Sequence, residues 1–306
     1  MRSLYNLIKK ISDEKYKYEI ARYCSLTAWV LLSISLLSFR DIGLGRLGLI
    51  HDLPFIYFVS LFFSLLSGFL TIGIKHEKHM LQFLNLVFLI TALWLVPILF
   101  EGTPRFASAY KTIGFVEYIC REGKLNPLNW ELFYHNWPGF SVFTSVLCMF
   151  TGNGIIYPLV LYYPFALHLV MLPVLYLIFK QTKIGLTAPN GWYLGAVVYY
   201  IANFVNQDYF SPQSFAYYLL SFVILLLLEK EEWFKNCNRA IAYKIIIMLI
   251  FVTIAISHIL SSLVALTMFG AFCIFEKQTF RTMLLFSIVV VLAWTIYGAS
   301  VYFDTH

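Results

Sequence analysis

The sequence predicts an all-α, polytopic transmembrane helix bundle, and three observations carry that prediction. Of the 306 residues, 60% are hydrophobic and only 12% are charged, about half the charged share of a soluble domain. Mean hydropathy is +0.76. Nine stretches come close to the roughly 20 apolar residues that a helix needs to cross a hydrocarbon core, and short polar segments separate them.

In chain order these stretches are 21–39, 54–74, 80–100, 156–179, 190–205, 212–228, 240–257, 259–275 and 281–302. A polar, basic, amphipathic lead over 1–20 precedes the first. The apolar run from 240 to 275 would reach about 54 Å as one helix at 1.5 Å per residue, so Ser257-His258 is expected to break it into two spans. Ser211-Pro212 reads as an N-cap followed by proline at N1, which starts the helix over 212–228. The apolar stretch 138–150 holds only 13 residues and is opened by Pro138. It reads as a short interfacial or re-entrant helix that does not cross.

Lys and Arg orient the bundle. With the N-terminus cytoplasmic and 138–150 outside, 16 of the 22 Lys and Arg residues fall in inner segments: the lead with Arg22 just after it, and the 75–78, 180–183, 230–244 and 277–281 connections. The outer segments hold Arg40, Arg46, Arg105, Lys111, Arg121 and Lys124, the asymmetry of the positive-inside rule. A crossing at 138–150 would invert everything after it. The reading is a single transmembrane domain over 1–306 with one long outer loop, 101–136, and a C-terminus that reaches the outer surface of the cell membrane.

Other classes fit less well. Residues 1–20 lack the pattern of a cleavable signal, because the apolar stretch after them is long and no small-residue cleavage site follows. Five cysteines (24, 120, 148, 237 and 273) show no metal spacing and no disulfide framework. The net charge of +6 is spread over the helix-flanking loops, which argues against a nucleic-acid partner. The expected partner is membrane lipid.

The orientation places four polar clusters at the outer face: Glu101–Arg105, His135–Pro138, Asn206–Pro212 and Ser257-His258. Glu101 ends a span, where it can act as a base or hold a cation, or serve as an ordinary solvated helix-end charge. Arg105, Tyr110 and Lys111 follow it, and Phe115, Ile119, Glu117 and Arg121 are spaced for a helix lying in the interface. His135 can shuttle protons or bind phosphate, or be a surface histidine without a role. Asp208, Tyr209, Ser211 and Gln213 surround the start of a helix whose free N–H groups suit an anion. His258 lies in a buried hairpin turn, with Ser261 and Ser262 expected to cap the next helix. His168 lies mid-span and reads as a neutral histidine bonded to a neighbouring helix.

The pattern Ile42-Gly43, Leu47-Gly48-Leu49-Ile50, Leu53-Pro54, Pro104-Arg105, Gly114-Phe115-Val116-Glu117-Tyr118-Ile119, His135-Asn136-Trp137-Pro138-Gly139-Phe140 and Gln207-Asp208-Tyr209-Phe210-Ser211-Pro212-Gln213 resembles a family of prokaryotic polytopic proteins described as glycosyltransferase-like. More distantly, 101–183 resembles the C-type (GT-C) integral-membrane glycosyltransferases. Those carry an acidic motif in the first outer loop and a proline motif opening a juxtamembrane helix. Here His135-Asn136-Trp137-Pro138 stands at the proline motif, whereas Ser108-Ala109 stands where the acidic pair would fall.

The resemblance implies transfer of a sugar from a polyprenyl-phosphate carrier to a glycan, lipid or protein acceptor at the outer face. Glu101 or Asp208 would be the catalytic base. Arg105, Tyr110, Lys111, His135, Tyr209, Ser211, Gln213 and His258 would bind substrate and phosphate. No metal site is expected; a divalent cation is an optional cofactor. The alternatives are a non-catalytic lipid-linked saccharide transporter or polymerase partner, and an inactive binding scaffold.

Overall fold

The computed structural model describes residues 14–38, 48–72, 74, 79–126, 133–152, 156–181, 190–202, 208–229, 237–276 and 280–305. Every regular element among them is helical. The helices are α1 (Glu14–Leu37), α2 (Leu49–Asp52), α3 (Phe55–Ile72), α4 (His79–Glu101), α5 (Ala107–Glu122), α6 (Gly139–Thr151), α7 (Ile156–Gln181), α8 (Trp192–Ile201), α9 (Pro212–Leu228), α10 (Cys237–Ser257), α11 (Ile259–Glu276), α12 (Arg281–Gly298) and α13 (Ser300–Thr305).

Six of these, α1, α3, α4, α7, α10 and α12, are long and apolar enough to cross a membrane. This is the make-up of a multi-pass membrane protein. Six of the nine expected spans meet this description among the described residues. The other three correspond to the 10-residue α8, the 17-residue α9 and the 18-residue α11. Phe55, Phe62, Val30, Leu249, Leu285 and Val289 stand exposed on the outsides of the helices. A row of large apolar side chains left outside suits a lipid solvent rather than water.

The chain divides into two compact units, one of 1–103 and 164–206, the other of 104–163 and 207–306. In the first unit α1 and α3 pack through small side chains. Ala21, Ser25 and Ala28 on α1 and Ser60, Ser64 and Ser67 on α3 are buried, spaced three or four residues apart so that each set forms one stripe. The Ser67 hydroxyl donates to the Ala21 carbonyl at 2.7 Å and receives the Asn85 amide of α4 at 2.9 Å. Gln82, one turn earlier on α4, donates to Thr71 Oγ1 at 2.9 Å. Asn190 closes this ladder by donating to the Ile74 carbonyl at 2.9 Å.

A π-turn interrupts α4 at Thr91–Leu95. Its cause is local: Pro97 has no N–H for the Leu93 carbonyl and its ring would strike that oxygen in an α-helix. The Val96 N–H therefore bonds the Thr91 carbonyl, five residues back. That leaves the Ala92 carbonyl without its usual donor, and the Tyr57 hydroxyl supplies one at 2.9 Å. The turn also presents Trp94 to His168, with ring centroids 3.8 Å apart. Tyr200 donates to the His168 carbonyl at 3.0 Å. The buried His168 is thus bracketed by Trp94 and Tyr200 within this unit.

In the second unit α9, α10, α11 and α12 share a core of Val223, Leu227, Tyr243, Ile247, Phe251, Phe269 and Met283. The expected break at Ser257-His258 is present: α10 ends at Ser257 and α11 begins at Ile259. Phe251 and Phe269 meet at 5.7 Å across the resulting hairpin. The amphipathic α5 buries Ala109, Thr112, Phe115, Val116 and Ile119 and exposes Lys111, Glu117 and Arg121. It stops at Gly123, whose φ of 65° is the left-handed conformation that glycine accepts without a Cβ clash. The 13-residue α6 packs on α5 and ends at Thr151. Its length of about 20 Å falls short of a hydrocarbon core.

Candidate functional site

Three of the four polar clusters meet within the second unit, and the N-terminus of α6 is where they do so. The turn that leads into α6 begins with His135, whose Nδ1 accepts the Asn126 N–H at 3.3 Å. That bond assigns the proton to Nε2. The ring stands edge-on to Phe115 and Tyr118, with centroids 5.0 and 5.1 Å away. His135 is only 3% exposed, so it is not the surface histidine that the sequence allowed. Burial pushes its pKa below the ordinary imidazole value and keeps the ring neutral.

The Asn136 carbonyl accepts the indole N–H of Trp294 at 3.0 Å. Trp294 opens the π-turn Trp294–Gly298 of α12. Trp137 packs edge-on to Tyr302 at 5.3 Å. Pro138 is the residue before the first helical turn and offers no side-chain cap. The first helical donor to close the ladder is the Val142 N–H, which bonds the Pro138 carbonyl at 2.8 Å. The N–H groups of Gly139, Phe140 and Ser141 therefore point out of the helix start, as at any uncapped N-terminus.

Around this helix start, four side chains hold buried polar atoms that have no hydrogen-bond partner among the described residues. They are His135 Nε2, both amide atoms of Asn136, Ser141 Oγ and Ser257 Oγ. Asn136 is 0% and Ser257 1% exposed. A Cβ added to Gly139 would collide with Ser257 Oγ and lie 2.8 Å from the Ile256 side chain, so the end of α10 lies directly against the first residue of α6. An orphaned buried amide and two orphaned hydroxyls beside free main-chain N–H groups each carry a desolvation cost of about 1–3 kcal/mol, and a polar guest would remove it.

The α9 cluster reaches the same place through Phe140. Its ring contacts Phe210 at 4.8 Å and Tyr163 at 5.8 Å. Asp208, two residues before Phe210, is 6% exposed and lies close enough to Tyr163 for their charges to interact. Ser211 performs the cap that its sequence position suggests, accepting the Ser214 N–H at 3.2 Å. The Ser214 hydroxyl donates to the Tyr209 carbonyl at 2.8 Å and sits 3.2 Å from the Tyr163 hydroxyl. Ser211 is consequently engaged in holding its own helix, which argues against a phosphate ligand there. Tyr209 packs against Phe106 at 5.1 Å, which brings the segment that leads into α5 to this cluster.

The remaining candidates fall as follows. Glu101 ends α4 in the first unit, at Gly102 with φ 61°. Arg105 is exposed just before α5, Tyr110 and Lys111 are exposed on its first turns, and Tyr110 hydrogen-bonds Tyr157 at the start of α7. Gln213 is half-buried. Asn206 and Gln207 lie outside the described residues. His258 is a helix cap: its Nδ1 accepts the Ser261 N–H at 3.3 Å and contacts Ser261 Oγ at 2.9 Å. This corrects the expectation that Ser261 and Ser262 cap α11. Burial lowers the His258 pKa as well, consistent with a ring nitrogen that must stay unprotonated to accept.

Asn136, Ser141, Tyr163, Ser214, Ser257 and Trp294 were not in the expected ligand set. Asn136 and Ser257 belong to polar clusters legible in the sequence, whereas Trp294 and Tyr163 sit in apolar runs with no local signal. No group of three or more His, Cys, Asp or Glu side chains able to hold a metal occurs among the described residues. Comparison of the chain with protein-family models, with curated proteins and with solved structures finds no match.

Proposed function

We propose that the chain is a glycosyltransferase-like membrane protein that moves a sugar from a polyprenyl-phosphate carrier to an acceptor at the outer face, with its N-terminus in the cytoplasm. The observation that carries this reading is the set of buried polar atoms at the start of α6 that have no partner among the described residues. Main-chain N–H groups at a helix N-terminus, an amide and two hydroxyls form a neutral donor set suited to the phosphate oxygen that gains charge as the glycosidic bond breaks.

In this reading the Asp208 carboxylate accepts the proton of the attacking hydroxyl. Arg105 and Lys111 attract the carrier phosphate from the exposed surface. Tyr209 and Phe106 offer aromatic faces to a sugar ring. A lipid-linked donor needs no nucleotide loop, and the chain has no Gly-rich phosphate motif.

One observation favours a binding scaffold without catalysis. Ala109, at the position where the resembling enzymes carry an acid, is 1% exposed and packed among Val116, Phe140 and Cys148. The two readings separate in one experiment on the full chain in lipid nanodiscs with a radiolabelled polyprenyl-phosphate hexose. Catalysis predicts release of free polyprenyl phosphate that Asp208→Asn abolishes while binding persists. Binding without release, unchanged by Asp208→Asn, supports the scaffold. Absence of both removes the proposal.

A further inference from the structure

A cavity of about 350 Å³ opens in the second unit away from the α6 start, lined by Glu117, Cys120 and Arg121 of α5, Cys148 of α6 and Ile156 of α7. Two free thiols thus face one space from two packed helices. The Cys120 thiol donates to the Ser145 carbonyl of α6 at 3.8 Å. Cys148 lies three residues further along the same helix, on the same face. The two sulfurs are also close enough for the charge of one to oppose ionisation of the other.

We propose that Cys120 and Cys148 are a modification site, a dithiol that oxidises reversibly to a disulfide joining α5 to α6.

Their surroundings divide the roles. Cys120 is half-buried and so the more accessible of the two to a solute, whereas Cys148 is buried and its thiol is pushed up by burial. The Cys120 thiolate therefore attacks a small-molecule disulfide, forming a mixed disulfide and expelling one thiolate. The Cys148 thiolate then attacks Cys120 Sγ, expelling the second. Two protons leave the cysteines and two electrons pass to the oxidant. The bond would close the loop from 120 to 148, which contains the His135–Pro138 turn at the candidate site. The oxidised form therefore holds that turn between two fixed ends. This inference stands apart from the sugar-transfer reading, since it needs only the two thiols.

The test uses the full chain in nanodiscs, with Cys24, Cys237 and Cys273 replaced by Ser. The protein is treated with oxidised glutathione, blocked with iodoacetamide and digested for mass spectrometry. The expected product is a linked peptide pair containing Cys120 and Cys148, two hydrogens lighter than the reduced pair and reversed by a phosphine reductant. Cys148→Ser is expected to stop at a glutathione adduct on Cys120, and Cys120→Ser to yield neither product. Recovery of Cys148 as a free, alkylated thiol beside glutathionylated Cys120 in the two-thiol protein would overturn the proposal. So would a linkage found only between two copies of the chain.

Discussion

Trp294 donates its indole N–H to the carbonyl of Asn136 at 3.0 Å, across 158 positions of sequence. The bond anchors the turn before α6 to the π-turn of α12, while the buried Asn136 amide has no hydrogen-bond partner among the described residues. One residue is thereby fixed by its main chain while its side chain stays available. Trp294→Phe keeps most of the ring and removes the donor, so the Asn136 carbonyl loses its partner. The expected cost is about 1–3 kcal/mol, read as a lower melting temperature in detergent. A variant as stable as the parent would show that the bond does not hold the turn.

Gly139 is expected to tolerate no side chain. An alanine there drives its methyl into Ser257 Oγ and the Ile256 side chain, an overpacking cost of about 1–3 kcal/mol. Ser257→Ala removes the oxygen and should restore part of that loss in the double variant, leaving the share due to Ile256. Additive losses in a double-mutant cycle by thermal unfolding would contradict this contact.

In the first unit the polar ladder is expected to respond unequally to loss of two bonded neighbours, Ser67 and Asn85. Ser67→Ala deletes the bond to the Ala21 carbonyl and strands the Asn85 amide, so two groups lose partners. Asn85→Leu removes one bond but also removes the Asn85 Oδ1, which is buried without a partner among the described residues. Single bonds of this kind between membrane helices are worth about 0.6–2 kcal/mol. Ser67→Ala should therefore be the more destabilising, by steric trapping or chemical denaturation in detergent. The reverse order would mean that the ladder is not continuous.

Stability is expected to fall in mild acid. Burial lowers the pKa of both His135 and His258 in the folded chain, so the unfolded chain binds more protons around pH 6 and unfolding is favoured as pH drops. The contribution is complete above the unfolded imidazole value of about 6.5 and is lost as pH falls through the lowered folded values. His258→Asn keeps a capping acceptor that does not titrate, and should flatten part of the melting-temperature slope between pH 7 and pH 5. An unchanged slope in that variant would show that His258 does not contribute to it.

Much of the helical inventory was legible because its causes are local. Ser211-Pro212 starts α9 through capping and the fixed φ of proline, and the length limit on one crossing places a break at Ser257-His258. The apolar spacing of α5 and the shortness of α6 follow from periodicity and residue count. The length of α8 was less legible, since it stops at Ile201 rather than running to 205. The π-turns escaped altogether. Pro97 warns of a disturbed helix, but only Tyr57, reaching the Ala92 carbonyl from α3, turns that disturbance into a defined geometry.

By itself the sequence determined which segments are helical and apolar, and that polar residues interrupt them at four places, because capping, periodicity and hydrocarbon thickness act within a few turns of chain. Only the tertiary structure decided which interruptions meet. His135 became buried between Phe115 and Tyr118, Ser257 came to rest on Gly139, and Asp208 came beside Tyr163. Those outcomes depend on which helix faces pack together. Contacts between residues tens to more than a hundred positions apart leave no periodic trace in the chain that makes them.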